Sequence, residues 1–376
     1  MTGSRGDPGE LRARMVGTLR DRGIFHDVVI ERAFDQVPRE AFLPGVAIEQ
    51  VYSGDMIPTK HDTSGSLVSS SSEVGVMASM IEMCELAPGH RVLEIGAGTG
   101  YNAAILATVV GERGEVTTVD IDAACVQEAR DHLATAGFGR VSVVDADGWY
   151  GHAKRAPYDR IEVTASSSEI SPDWVKQLAD DGRLVLPLRL PAGAQVLVSF
   201  KKDGRNLVST AVRPGAFIPL RGPAVRSEDL TEVAGFDVAP SSLSDSARSV
   251  LEALLSGRPR TIELSGPVRP DAFALIAMAM PSAIGVRRQG KDGAAIGVFV
   301  EDPAGLALLE LAGSAFAGPL THLVGYGSSL AMDALRVQLD AVRKSSVRDF
   351  HIVARRRRPP TDHLGFRLEF IREGTS

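Results

Sequence analysis

Apolar residues recur at helical spacing in Leu11, Met15 and Leu19, and again in Val28, Ile30, Ala33 and Phe34. The segment from Glu10 to Leu43 is therefore predicted to be helical, with a stop at Val37-Pro38-Arg39. From Tyr52 to Ser72 the pattern lapses into glycine, proline, aspartate and a serine cluster, and a loop is expected. The helical period returns with Val74, Met77, Ala78, Ile81 and Met83, and Pro88-Gly89 ends it. The pattern then alternates. Strands are expected at Arg91 to Ile95, Glu115 to Val119, Val141 to Val144 and Tyr158 to Thr164, with helices at Tyr101 to Val110 and Ala123 to Ala136. Strands alternating with helices imply a parallel sheet covered on both faces. A short helix at Trp174 to Leu178, a strand at Gly182 to Pro187 and a hairpin around Asp203-Gly204 complete the pattern.

The sheet pattern fades between Pro219 and Pro223, and Pro240-Ser241-Ser242 lies in a polar stretch beyond it. Two domains are expected, residues 1–223 and a smaller α+β unit, residues 224–376. Helices are predicted there near Ser244 to Leu255, Pro270 to Met280, Pro303 to Ala317 and Met332 to Lys344. Strands are predicted at Ala295 to Glu301, Phe350 to Ala354 and Phe366 to Ile371.

With 44% hydrophobic and 23% charged residues, the chain is composed like an ordinary globular protein. Its net charge of −6 argues against a nucleic-acid partner, whose binding surface is usually basic. Cys84 and Cys125 sit in apolar, helix-like contexts, so buried thiols are expected rather than a disulfide or a metal site. No apolar run reaches the length of a membrane span, and the first residues do not form a signal peptide. A soluble cytoplasmic protein with no membrane partner is the expectation.

Candidate chemistry begins at Gly96, Gly98 and Gly100, which alternate between a predicted strand and a predicted helix. Glycine serves where backbone turns sharply or approaches a ligand closely, and the helix start beyond offers unpaired N–H groups. About 20 residues past the turn the next strand ends in Asp120, whose carboxylate can accept both hydroxyls of a ribose. A dinucleotide site spaces its third glycine one residue later. The form here, with Glu94 before it, resembles motif I of class I methyltransferases, whose ligand is S-adenosylmethionine. The resemblance implies a doubly wound, Rossmann-like α/β sheet. It also implies cofactor contacts from Glu94, Gly96, Ala97, Gly98, Gly100, Asp120 and Ile121, with an adenine contact at Asp147-Gly148.

Further motifs resemble one family, protein L-isoaspartate O-methyltransferase. They are Ala33 to Pro44, the turn with its tail Gly100-Tyr101-Asn102-Ala103-Ala104, Asp147-Gly148 leading to Ala156-Pro157-Tyr158-Asp159-Arg160-Ile161, and Leu178 to Pro187. The resemblance implies methyl transfer to a carboxylate of a peptide. Such a nucleophile is already ionised at neutral pH and needs no general base, so hydroxyls that position it suffice. Ser69, Ser70 and Ser71 are the candidates; the family carries a Ser-Gln-Pro motif here, and Ser70 and Ser71 replace its Gln and Pro. His61 and Asp62 just upstream are read as surface loop.

The serine replacement and the extension after Pro223 resemble a branch that tailors ribosomally made peptides such as lanthipeptides and crosslinked graspetides. In that branch the substrate is an ordinary aspartate of a cyclised precursor peptide, and its methyl ester closes to a succinimide. General isoaspartyl repair is the alternative, and a peptide-binding module without catalysis is a third reading. The run Arg355 to Arg358 and the turn Gly325 to Ser329 are candidates for docking an acidic precursor peptide; a solvated strand edge is the plainer reading of the run.

Overall fold

The computed structural model describes residues 6–223, 230–239, 243–269, 271–280, 282–289, 294–311, 320–357 and 366–372. Pro240 to Ser242, Arg358 to Pro360 and the last part of the expected helix Pro303 to Ala317 lie outside these residues.

The N-terminal region forms α1 (Pro8–Asp21), α2 (Val28–Gln36) and the short α3 (Ile48–Val51). The Asp7 carboxylate accepts from Glu10 N at 3.0 Å and the Asp27 carboxylate from Val29 N at 2.7 Å, so each of the two longer helices starts on a side-chain cap. A hairpin follows, β1 (Ile57–His61) and β2 (Leu67–Ser71), where a loop is expected from the sequence. Its residues Thr59, Lys60 and Ser69 to Ser71 lack the alternation that marks a half-buried strand; the antiparallel partner, not the side-chain pattern, creates it. Helix α4 (Val74–Cys84) then leads into the main sheet.

The first half of that sheet is built from β3 (Arg91–Ile95), α5 (Tyr101–Val110), β4 (Glu115–Asp120), α6 (Ala123–Thr135), β5 (Ser142–Asp145), β6 (Tyr158–Val163), α7 (Pro172–Gln177) and β7 (Leu178–Arg189). The strands run parallel in the order β5-β4-β3-β6-β7. This is the doubly wound sheet expected of a class I methyltransferase. The winding reverses between β3 and β6, and ligands of such sheets bind outside the carboxyl ends at that reversal. Both faces are covered, so Val92, Leu93 and Ile95 are at most 1% exposed and Glu94 is the one polar residue among them. On one face the rings of Phe34 and Phe42 pack on Tyr101 of α5, at 6.3 and 5.6 Å between centroids, and hold the N-terminal helices to the sheet.

The sheet continues antiparallel through β8 (Gln195–Asp203) and β9 (Asn206–Pro214), the expected hairpin. Beyond it come β10 (Thr231–Val233), β11 (Phe236–Ala239), α8 (Asp245–Leu255), β12 (Arg260–Val268), α9 (Ala272–Ala279), β13 (Ile284–Arg288), β14 (Ala294–Val300), β15 (Gly305–Leu311), β16 (Leu320–Gly327) and α10 (Ser329–Val342). Their strands form a second, antiparallel sheet of 7 strands. Strand β15 replaces the start of the expected helix Pro303 to Ala317. Leu306, Ala307, Leu308 and Leu309 favour helix locally, yet they are buried between β14 and β16, where a continuous apolar run suits a strand.

The chain end departs from the two-part reading. Strands β17 (Phe350–Arg356) and β18 (Phe366–Arg372) leave the second unit and extend the first sheet, through Val353 and Ala354 opposite Val208 and Leu207 of β9. One core runs through both parts, from Leu186 and Val198 through Ile276 to Leu335 and Ile352. Arg355 pairs with Glu369 on β18 at 2.7 Å, a strand-edge ion pair, whereas Gly325 and Tyr326 belong to the other sheet.

Candidate active site

The turn after β3 is shaped by its glycines. Gly96, Gly98 and Gly100 take φ of 106°, 50° and 89°, a region that side-chain-bearing residues rarely adopt. A Cβ on Gly96 would stand 2.4 Å from Thr164 Oγ1, and one on Gly100 3.1 Å from Leu133. Gly98 differs. A Cβ there meets only Ser69 Oγ and the Ser70 carbonyl, both at 3.9 Å, so this glycine opens onto a cavity instead of a wall.

The Asp120 carboxylate closes the turn. It accepts from Gly98 N at 3.1 Å and from Asp122 N at 3.0 Å, which fixes it at the end of β4 with acceptor capacity left over. Ala97, Ile121 and Gly148 line the same cavity. The Asp147 carboxylate instead caps the turn that follows, accepting from Trp149 N at 2.9 Å. Thr164, at the end of β6, donates toward the carbonyls of Ile95 and Gly96 at 3.0 and 2.9 Å and ties the reversal point together. The segment Phe217 to Arg221 returns over the cavity, held by Ser166 N donating to the Ile218 carbonyl at 2.8 Å.

The hairpin carries the serines onto this turn. Ser69 Oγ accepts from Thr59 Oγ1 at 2.9 Å, and Ser71 Oγ accepts from the Arg39 guanidinium at 3.1 Å. Ser71 keeps its own hydrogen to donate elsewhere, while the Ser69 hydroxyl also hydrogen-bonds the Cys125 thiol. Arg39 is fully buried and also donates to the carbonyls of Val51, Asp55 and Ser72. Ser70 lines the cavity between the two. His61 and Asp62 stand at the exposed hairpin tip, where Asp62 accepts from Ser64 N and Ser66 N.

Lys60 joins hairpin and cofactor turn. Its ammonium meets Asp122 at 2.6 Å, and Asp122 both caps α6 and donates its N–H to Asp120. The lysine is missed by sequence reasoning because nothing in the polar stretch marks it. We expect Lys60→Met to weaken binding of S-adenosylmethionine about threefold, a partly exposed pair being worth roughly 0.5–1 kcal/mol. Calorimetric titration at low and high salt checks this; the loss should shrink as salt rises.

Below the turn lies a buried carboxyl pair. Glu94 and Glu162 are opposite each other on β3 and β6, and are 0% and 1% exposed. Asn102 of α5 donates its amide to both, at 2.7 and 2.8 Å. Burial pushes Glu94 up to about 8 and Glu162 up to about 7. Both buried cysteines are free, as expected, and burial raises the Cys125 thiol to about 11.

These residues suit S-adenosylmethionine. Gly98 leaves room for close approach, Asp120 offers acceptors for a diol, the α5 start carries unpaired N–H groups, and Glu94 Oε2 is a buried acceptor without a donor.

Comparison with known proteins agrees. The family described as Protein-L-isoaspartate(D-aspartate) O-methyltransferase matches residues 10–224. The protein-L-isoaspartate O-methyltransferase of Methanothermobacter thermautotrophicus is 35% identical over 212 residues, covering 56% of this chain and 95% of that protein. That of Korarchaeum cryptofilum is 36% identical over 219 residues, with 56% and 96% covered. A solved structure described as a protein-L-isoaspartate O-methyltransferase shares the fold with a TM-score of 0.56 at 24% identity, over 96% of this chain and 99% of its own. With this doubly wound sheet, this glycine turn and these relatives, the chain is an S-adenosylmethionine-dependent methyltransferase and belongs to the protein-L-isoaspartate(D-aspartate) O-methyltransferase family.

Proposed function

We propose that the enzyme methylates the side-chain carboxylate of an isoaspartyl residue in a peptide or protein. The observation that carries this reading is the hairpin laid over Gly98, with Ser69 Oγ and the Ser70 carbonyl 3.9 Å from where a Cβ would stand. It brings hydroxyl donors beside the place where the cofactor's methyl group belongs. Asp120 holds the ribose, Gly98 admits the close approach of the cofactor to a turn that Gly96, Ala97 and Gly100 shape, and Ile121 and Gly148 flank the adenine. Bound S-adenosylmethionine supplies a methyl group already activated by its sulfonium. Ser71, whose oxygen is occupied by Arg39, turns its hydrogen to the substrate carboxylate, and Ser69, whose oxygen is occupied by Thr59, does so on leaving the Cys125 thiol, a weak acceptor. Ser70 completes the lining, and no base is required because the carboxylate is ionised.

A second reading has a specific support. Ser70 and Ser71 stand where the resemblance implies Gln and Pro, which favours an ordinary aspartate of a cyclised precursor peptide whose ester closes to a succinimide. The extension no longer argues for it, since a protein described as an isoaspartate methyltransferase shares the fold over 96% of this chain. Recognition of substrate by residues 224–376 is supported by a cleft they form with the first part, lined by Ala194, Gly215, Phe273 and Val286 with Asp237 and Asp271.

Matched peptides separate the readings. Short isoaspartyl peptides, their aspartyl counterparts and side-chain-cyclised aspartyl peptides are incubated with S-adenosylmethionine and weighed. Methylation of unrelated isoaspartyl peptides is expected, at least about 100-fold faster than of aspartyl ones, as when a built site rejects a misplaced group. Failure on every isoaspartyl peptide would remove the repair reading. Esters or water loss on cyclised aspartyl peptides alone would put the second in its place.

A further inference from the structure

Glu162 lies on no motif that marks the cofactor site, yet it faces Glu94 across two parallel strands and lines the same cavity. The pair is unusual in its surroundings. The groups acting on either carboxyl include no lysine or arginine. The titratable groups that face them are Asp120 from β4 and Cys84 from α4. Asp120 adds negative charge, and burial keeps the Cys84 thiol neutral. Thr118 stands opposite Glu94 on β4 and its hydroxyl favours the charged form of that carboxyl, Val185 stands opposite Glu162 on β7, and α5 contributes Asn102, whose amide donates to both. Glu94 Oε2 remains buried without a donor.

Two carboxylates sharing one amide in a site without cations cannot both stay ionised at low cost, so the pair holds a proton. The cavity says what displaces it. Along the sheet the order is β5, β4, β3, β6. With adenine beside Gly148 after β5 and ribose on Asp120 of β4, the amino-acid tail of the cofactor runs over β3 and β6. That tail ends in an ammonium, a cation with donors to offer, whereas the sulfonium has none. We propose that Glu162 is a cofactor-site residue, forming with Glu94 a proton-sharing pair that exchanges its proton for the α-ammonium of S-adenosylmethionine. The inference rests on the cofactor orientation proposed above. No bond is made or broken; the shared proton leaves to solvent as the ammonium arrives, and net charge in the pocket is conserved.

Calorimetry of the wild-type enzyme with S-adenosylhomocysteine tests this, since that product keeps the ammonium and lacks the sulfonium. Titrations in two buffers of different ionisation heat at about pH 7 should report release of roughly one proton. Affinity should rise by more than about tenfold from about pH 6 to about pH 8.5. In Glu162→Gln the proton release should fall and the rise in affinity should move to lower pH, because the neighbouring charge that opposes Glu94 is gone while burial still holds its pKa up. Methylthioadenosine, which has no amino-acid tail, should show neither effect. Folding of the variant is checked by its melting temperature without ligand. Both glutamates are raised in the folded state, so their contribution is fully present below the unfolded value and is lost as pH rises through about 7 to 8. Glu162→Gln should therefore raise the melting temperature at about pH 8.5 and leave it nearly unchanged at about pH 4. Absent proton release in the wild type, a wild-type pH profile in the variant, or the same profile with methylthioadenosine overturns the proposal. Failure of both nucleosides to bind overturns the cofactor orientation itself.

Discussion

Asp120→Ala should weaken S-adenosylmethionine binding by about 100-fold or more, the largest effect of any single side chain at this site. The carboxylate lines the cavity at the end of β4 and is placed to accept from both ribose hydroxyls in the proposed orientation. A hydrogen bond to a charged acceptor contributes roughly 1.5–3 kcal/mol, so losing two approaches or exceeds the figure given. The substitution also strips Gly98 N and Asp122 N of their acceptor, which loosens the glycine turn that the ligand must meet. Asp120→Asn should fall between, because its amide oxygen replaces one acceptor only. Equilibrium dialysis or calorimetry with S-adenosylhomocysteine measures the loss. An Asp120→Ala affinity within about threefold of wild type would move the ribose elsewhere.

The second large effect concerns stability. Arg39→Met should cost about 3 kcal/mol in urea unfolding, within the range for breaking a buried charged network. The guanidinium is fully buried, sits 5.8 Å from the Tyr101 ring centroid, and satisfies the carbonyls of Val51, Asp55 and Ser72 together with Ser71 Oγ. Burial lowers its pKa, yet no lesser donor reaches four acceptors from one side chain. Methionine restores the apolar stem and leaves those acceptors in want of a donor. The hairpin bearing Ser69 to Ser71 should lose its register on the cofactor turn. Methyl transfer is then expected to fall about tenfold while cofactor affinity changes less than about twofold, since Arg39 touches the hairpin and not the Asp120 side. Unchanged stability would mean that water replaces the guanidinium at its acceptors. A parallel loss of cofactor affinity would mean that hairpin and turn cannot be separated.

Much of the site was readable in the chain because its signals are local. Gly96, Gly98, Gly100 and Asp120 report a strand, a turn and the next strand's end at a spacing that backbone geometry dictates; the structure brings Gly96, Gly98 and Asp120 to one cavity, while Gly100 packs against Leu133 of α6. Buried Cys84 and Cys125 follow from apolar helix faces in the same way. The hairpin β1–β2 was not readable. Its polar residues carry no alternation, and its partner strand supplies what the pattern lacks. Asp147 illustrates a subtler limit. Its place at the end of β5 suggests a ligand contact, whereas its carboxylate is engaged in capping Trp149 N. Strand β15 shows local preference losing to position, with Leu306 to Leu309 drawn into a sheet by β14 and β16 on either side.

The sequence by itself determined the alternating α/β class, the cofactor turn with its acidic partner and, by resemblance, the methyltransferase family. Those features depend on contacts a few residues apart or on one strand following another. Only the tertiary structure decided that Lys60 latches the hairpin to Asp122, that Glu162 faces Glu94, and that β17 and β18 return to β9. Each of these joins residues far apart in the chain through strand register or long-range ion pairing. Such contacts form only when burial of the whole core holds distant segments in place, so no local pattern of side chains announces them.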